Sequence, residues 1–326
     1  MERERFYIGL DLSATTIKSA ITNGLGEIYE ITQQPLRNDP GAIVAAALDA
    51  VNRLRARAQE RGWEIAALGA GVPGLVNPAT HRVEVAPNLP ALAEMDLYDE
   101  LVKATGLPVV FDNDANVAAY GEYTCGVAQG MRHLIYVTLG TGIGAGLIIE
   151  GKIYRGALGF AGEFGHTTVD PDGLACVCGN HGCLETIASG PNLVRRTRER
   201  LFRDRSSSLS RLASPDKGEL TPERIAAEAV NGDDFALMMI EQTGRWIGIA
   251  VANVINLLNL DMVVLGGGVM VAGDLLLNPI IETVRRRAFG IMATHCRIVA
   301  ALLGGQAGVI GGAMLARDTF AGASPA

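Results

Sequence analysis

The sequence predicts a two-lobed α/β fold made by duplication, with a ligand cleft between the halves. Three observations carry this reading. The stretch "IYVTLGTGIGAGLIIEGKIY" (Ile135 to Tyr154) repeats the order of "IGLDLSATTIKSAITNGLGEIY" (Ile8 to Tyr29), strand, polar turn, strand, short turn and strand, with lengths that differ by two residues. "DMVVLGGGV" (Asp261 to Val269) and "RIVAALLGG" are apolar strands that run into glycine, as α/β junctions do. A chain of 326 residues, 48% hydrophobic and 19% charged, buries enough apolar surface for two domains.

The elements follow in order. "FYIGLDL" (Phe6 to Leu12), "TTIKSAIT" and "EIYEITQ" read as consecutive antiparallel strands, the last two joined at Asn23-Gly24. A helix is expected from Gly41 to about Gln59, then a strand at "IAALGAGV", a turn at "PGLVNP", a helix from about Asp96 to Thr105 and a strand at "LPVVFDN". The repeat comes next, and helices then alternate with the two strand-to-glycine junctions. Asp204 to Gly218, "DRSSSLSRLASPDKG", is polar and of low complexity, and is expected to be a mobile surface loop. After it, Thr221 caps a new helix with Pro222 at its first position.

Composition excludes several classes. With 28 Lys and Arg against 35 Asp and Glu, a net charge of −7, the chain lacks the basic footprint of a nucleic-acid binder. "MERERFYIGLDLS" has no signal-peptide pattern, and runs such as "WIGIAVANVINLLNL" break before about 18 uninterrupted apolar positions accumulate. A cytoplasmic protein with no membrane role is expected. In that reducing compartment, clustered thiols point to a metal or to redox chemistry more than to disulfides.

Four segments carry chemistry. "TLGTGIGAG" (Thr138 to Gly146) offers backbone N–H groups for close approach to an anion, with the Thr138 and Thr141 hydroxyls as further donors; "DLSATT" is its partner in the repeat. No Gly-Lys-Ser/Thr follows, so this is not a Walker A loop. In "FDNDANVAAYGE", Asn113 and Asp114 end a strand and open a helix; Asp114 can accept a proton from a substrate hydroxyl, and helix capping is its competing role. "GAGVPGLV" and "APNL" are turns, and Asn88 of the latter can line a polar site. "GHTTVDPDGLACVCGNHGCLE" holds three of the five cysteines: Cys176, Cys178 and Cys183, spaced C-x-C-x4-C, with His166 ten positions before the first. Three thiolates and one imidazole close a tetrahedral zinc site, so the metal is expected to be structural; His181 is a rival ligand, separated from Cys183 only by Gly182. Glu163 and Glu185 flank the ligands and can accept hydrogen bonds from the vicinal hydroxyls of a sugar.

With these motifs in view, the chain resembles the ROK family (repressor, ORF, kinase) and, within it, the bacterial glucokinase-like sugar kinases. The likeness runs over essentially the full length, through "GLDLSATTIK", "GAGVPGLV", "NDANVAAYGE", "TLGTGIGAG", "GEFGH", "CVCGNHGCLE", "LNLDMVVLGGGV" and "LGGQAGVIGGAMLA". It implies two actin-like (ribonuclease H-like) lobes, 1–113 plus 302–326 and 114–301, the latter with a zinc loop at 166–183. It implies an ATP-dependent kinase acting on the 6-hydroxyl of a hexose, glucose first, with N-acetylmannosamine, N-acetylglucosamine or another hexose as alternatives, and a homodimer or homotetramer. Asp114 would be the base and Asn113 and Asn88 sugar contacts, while Glu163, His166 and Glu185 would bind other hydroxyls. His166 would also hold structural Zn²⁺ with Cys176, Cys178 and Cys183. Asp11, Ser13, Ala14, Thr15 and Lys18, with Gly140, Thr141 and Gly142, would hold the ATP phosphates and Mg²⁺, and Gly266, Gly267 and Gly268 would pass the adenosine.

One departure stands out. The family's first phosphate turn usually reads Asp-x-Gly-Gly-Thr, and here Ser13 and Ala14 replace both glycines. Each Cβ narrows the space beside the phosphates and disfavours positive φ. The rival from another class is a non-catalytic sugar sensor, because ROK repressors share this domain behind a winged helix-turn-helix; with a first strand expected at about Phe6, no room for that module is expected.

Overall fold

The protein is described from a computed structural model, over residues 4–201, 206–211 and 219–321. The first sheet is built from β1 (Arg5–Leu12), β2 (Thr16–Asn23), β3 (Ile28–Pro35), β4 (Glu64–Val72) and, after the short pair β5 (Leu75–Val76) and β6 (Val83–Val85), β7 (Val109–Asn113). Its order is β3-β2-β1-β4-β7, antiparallel among the first three strands and parallel from β1 through β4 to β7. The second sheet uses β8 (Leu134–Leu139), β9 (Ile143–Ile149), β10 (Lys152–Ile153), β11 (Met262–Gly266) and β12 (Arg297–Ala300), in the order β10-β9-β8-β11-β12, with β8, β11 and β12 parallel. The two orders are the same, so the repeat seen in the sequence is a repeat of topology.

The helices are α1 (Pro40–Glu60), α2 (Leu97–Thr105), α3 (Asp114–Thr124), α4 (Glu185–Ala188), α5 (Gly190–Leu201), α6 (Pro222–Val230), α7 (Asp234–Leu258), α8 (Asp274–Arg287), α9 (Gly290–His295) and α10 (Ala307–Thr319). Their ends obey local chemistry: the Asp39 side chain accepts from Ala42 N at the start of α1, Thr221 from Arg224 N at α6, and Asp233 from Ala236 N at α7. Helix α1 buries Ile43, Ala47, Val51 and Leu54, a stripe at helical spacing, in a core shared with Ile8, Leu10, Ile17 and Leu68. Helix α10 lies so close to the first sheet that a Cβ at Gly9 or Gly69 would collide with the Val309 or Gly312 carbonyl.

By contacts, the described residues form two units. One draws on Met1–Arg132, Gly146–Gly162 and Leu302–Ala326, the other on His133–Ala145 and Glu163–Ala301. The boundary expected at 113/114 thus falls at 132/133, because α3 packs on α10 and β4 and so stays with the first unit.

Two further expectations change. Of the polar stretch 204–218, Asp204, Arg205 and 212–218 lie outside the described residues, but its middle is anchored: Leu209 is fully buried, and Ser207 Oγ and the Ser208 N and Oγ donate to Asp233 Oδ2 at 2.8, 2.6 and 2.7 Å. Neither Ser13 nor Ala14 takes a positive φ. Their turn closes through Ser13 N to Thr16 O at 2.8 Å and Thr16 N to Ser13 Oγ at 3.1 Å, so it needs no glycine for its backbone. Among the described residues, no helix is long and apolar enough to cross a membrane.

Candidate functional site

In the first unit, Asp11 is the penultimate residue of β1, opposite Lys18 of β2. Burial pushes its carboxyl up to about 6, and the Lys18 charge opposes the rise. The Gly308 backbone of α10 leans on this carboxylate so closely that a Cβ there would strike it, and Lys18 Nζ donates to Gly305 O at 2.9 Å. One acid and one base thus stand beside the Ser13–Thr16 turn, with Ser13 and Thr15 exposed.

At the β7–α3 junction the capping role falls to Asn113: its Oδ1 accepts from Ala115 N at 2.9 Å and Asn116 N at 3.2 Å, and its Nδ2 donates to Gly74 O at 3.0 Å. Asp114 is the first helical residue, partly buried, with Oδ1 accepting from Ala115 N at 2.8 Å. Carboxylates are favoured there by the helix dipole. Asn88 is exposed in the turn before the 3-10 segment Pro90–Glu94.

A pair that the sequence reading missed sits just behind this junction. Asp112 is 3% exposed; its Oδ2 accepts from Arg155 Nε at 2.8 Å and Nη2 at 2.6 Å, while Oδ1 accepts from Asn113 N at 2.8 Å and Asn116 Nδ2 at 2.9 Å. The available signal was an aspartate inside the apolar strand "VVFDN", which demands a partner once buried.

In the second unit, Leu139 to Gly142 turns β8 into β9, with Gly140 N donating to Gly142 O at 2.9 Å and Thr141 exposed. The space beside the Cα atoms of Gly140 and Gly268 is open to about a Cβ contact at 4.0 Å, while Gly267, at φ +90, has its backbone against Leu139. A Cβ at Gly266 would likewise strike the Tyr136 hydroxyl, so of these glycines only Gly140 and Gly268 face open space.

Glu163, His166 and Glu185 also belong to this unit. Burial raises the Glu163 carboxyl above its usual range; His166 lowers it and Glu185 raises it further. His166 Nε2 lies 3.8 Å from Glu163 Oε2, and Glu185 Oε2 accepts from Ile143 N at 2.7 Å. The Glu185 carboxylate is therefore bonded to β9, the strand that leaves the Leu139 to Gly142 turn.

The four expected metal ligands converge. Ligand atoms of His166, Cys176, Cys178 and Cys183 all lie within 4.8 Å of one another; Cys178 Sγ is 3.7 Å from Cys183 Sγ, and Cys176 Sγ is 3.4 Å from His166 Nδ1. A tetrahedral zinc needs edges of about 3.8 Å between sulfurs and about 3.6 Å between sulfur and nitrogen, given its usual bond lengths. The donor set fits zinc, and His181 is outside it. An Asn180 backbone hydrogen bond is the main cause that lowers the Cys178 thiol, whereas burial pushes Cys183 up to about 12. Gly182, at φ +66, makes the bend between His181 and Cys183, where a Cβ would strike the Asp170 carbonyl.

Known proteins resemble this chain over most of its length. A family model described as the ROK family matches residues 7–319. A glucokinase of Halalkalibacterium halodurans is 37% identical over 318 residues, 97% of this chain and 96% of that protein. A xylose repressor of Caldicellulosiruptor bescii is 33% identical over 309 residues, 93% of this chain and 76% of the repressor. A solved structure of a ROK family glucokinase from Streptomyces griseus, in complex with glucose and AMPPNP, is 36% identical with a TM-score of 0.82, covering 96% of this chain and 99% of that one.

Proposed function

Because the chain belongs to the ROK family, we propose that it is an ATP-dependent hexose kinase that phosphorylates the 6-hydroxyl of a hexose, with glucose the first choice. Its fold is the actin-like ATPase fold, two sheets of one strand order. The observation that carries the reading is the full-length likeness to a glucokinase whose structure holds glucose and AMPPNP.

Phosphoryl transfer is mostly positioning and charge neutralisation, so each residue has a limited task. Asp114 takes the proton of the sugar 6-hydroxyl as that oxygen bonds to the γ-phosphorus of ATP and the bond from this phosphorus to the β,γ-bridging oxygen breaks, so that ADP leaves; Asp114 later releases the proton to water. Asn113 orients this carboxylate by capping α3 and, with Asn88, contacts the sugar. Glu163, His166 and Glu185 bind the remaining hydroxyls. Ser13, Ala14, Thr15, Gly140, Thr141 and Gly142 line the phosphates, Lys18 neutralises charge, and Gly266 to Gly268 face the adenosine. Asp11 would hold the Mg²⁺ that ATP brings, whose role is to neutralise phosphate charge. Cys176, Cys178, Cys183 and His166 Nδ1 would hold a structural zinc, which supplies order to the 166–183 loop and leaves His166 Nε2 for the sugar. A cytoplasmic location and a homodimer or homotetramer complete the proposal.

A coupled ADP-release assay over glucose, mannose, N-acetylglucosamine, N-acetylmannosamine, fructose and allose tests it, with glucose expected to give the highest kcat/KM. Asp114→Asn should lower kcat about 10²–10⁴-fold and leave sugar affinity intact. Silence on every sugar with binding retained would favour instead the sensor reading, to which the likeness to a xylose repressor points.

A further inference from the structure

Helix α4 has four residues, and a helix that short satisfies almost none of its own carbonyls. Side chains of α5 donate to three consecutive carbonyls, the first of which, Glu185 O, also accepts from Ser189 N at 3.3 Å. Asn192 Nδ2 donates to Glu185 O at 2.9 Å, Arg195 Nη2 to Thr186 O at 3.1 Å and Arg196 Nη1 to Ile187 O at 3.0 Å. Arg196 Nη1 also donates to Thr243 Oγ1 at 3.1 Å, and Thr243 is fully buried in the long helix α7.

The cost of this arrangement shows at Arg196. Its Nη2 is buried without a partner, and burial pushes its pKa down to about 10, so it remains a cation at neutral pH. Among the described residues no carboxylate forms a salt bridge with it; the neighbouring Glu199 pairs with Arg195. What holds Arg196 is the Ile187 carbonyl and the Thr243 hydroxyl, a placement that suits a cation at a helix C-terminus. The side chain at the other end of α4 is Glu185, whose Oε2 accepts from Ile143 N, and Gly190 N donates to Gly140 O at 2.8 Å.

We infer that Arg196, helped by Arg195 and Asn192, is a positioning residue: it fastens α4 to α7 and so sets where the Glu185 carboxylate stands toward the sugar and toward the strand leaving the phosphate turn. This rests on the proposal that Glu185 binds a sugar hydroxyl. Without the guanidinium, the Ile187 carbonyl of α4 loses its donor and α4 loses its tie to Thr243 of α7, so the segment loosens; the carboxylate then loses its fixed position toward the sugar and toward Ile143.

Steady-state kinetics on the full chain, well below its melting temperature, test the inference. Arg196→Met should raise the glucose KM about tenfold, the loss expected for one charge-assisted contact, and raise the ATP KM less. Arg196→Lys should recover part of the loss. Glu185→Gln should raise the glucose KM, and adding Arg196→Met to it should raise the KM no further, because both act through one carboxylate. An unchanged glucose KM in Arg196→Met, or a double variant whose effects multiply, overturns the inference while Glu185 stays a sugar ligand. An unchanged KM in Glu185→Gln overturns the proposal for Glu185 and the inference with it. Should Arg196→Met fail to fold, Arg195→Met and Asn192→Ala carry the same test, with smaller rises expected.

Discussion

Replacing Arg155 by methionine isolates the buried pair behind the proposed catalytic aspartate. Asp112 would keep the bonds from Asn113 N and Asn116 Nδ2 and lose the two charge-assisted ones at 2.8 and 2.6 Å. Stranding a buried charge costs about 3–5 kcal/mol. The Arg155 side chain is 34% exposed, so solvent already screens the pair and water can reach the vacated space; the lower figure of about 2–3 kcal/mol applies. For a chain of this size that is a fall in Tm of roughly 3–5 °C. Because Asp112 also holds Asn113, and Asp114 follows directly, kcat should drop with little change in the ATP KM. Calorimetry and the ADP-release assay read the two effects. Asp112→Asn combined with Arg155→Met should regain most of the lost Tm, since no charge is left unpaired. A Tm for Arg155→Met within about 1 °C of wild type would refute the reasoning, because the carboxylate would then gain nothing from its partner.

Three other outcomes are expected. Asp11 holds its proton in the folded state between the ordinary 3.8 and about 6, so its contribution to stability is present at low pH and lost as pH rises through 6; Asp11→Asn should therefore raise Tm more at pH 8 than at pH 5 while weakening Mg·ATP use, and a pH-independent difference would contradict this. Purified protein should carry one zinc per chain by elemental analysis, and Cys178→Ser should raise the sugar KM sharply with a smaller change in the ATP KM; zinc-free protein with full sugar affinity would return the cysteines to incidental thiols. Ser13→Gly with Ala14→Gly should lower the ATP KM by removing two Cβ atoms, and should cost about 1 kcal/mol because Ser13 Oγ no longer accepts from Thr16 N; an unchanged ATP KM would show that the turn tolerates both side chains.

What could be read from the sequence was what neighbouring residues decide. The repeat was legible because strand and turn preferences act over a few residues, and "IGLDLSATT" and "IYVTLGTG" show the same alternation. The thiol cluster was legible because Cys176, Cys178 and Cys183 lie within one short loop, whose glycines force it back on itself. Tertiary structure decided the rest, because burial and long-range partners are properties of packing. It paired Asp112 with Arg155, 43 positions away in sequence. It gave the capping role to Asn113 and left Asp114 as the first helical residue. It raised the Asp11 carboxyl by enclosing it, moved the unit boundary past α3 by packing that helix on α10, and hung α4 from three side chains of α5. Local sequence fixes which chemical groups the chain can offer; only the packed fold fixes which of them lose water and must find one another.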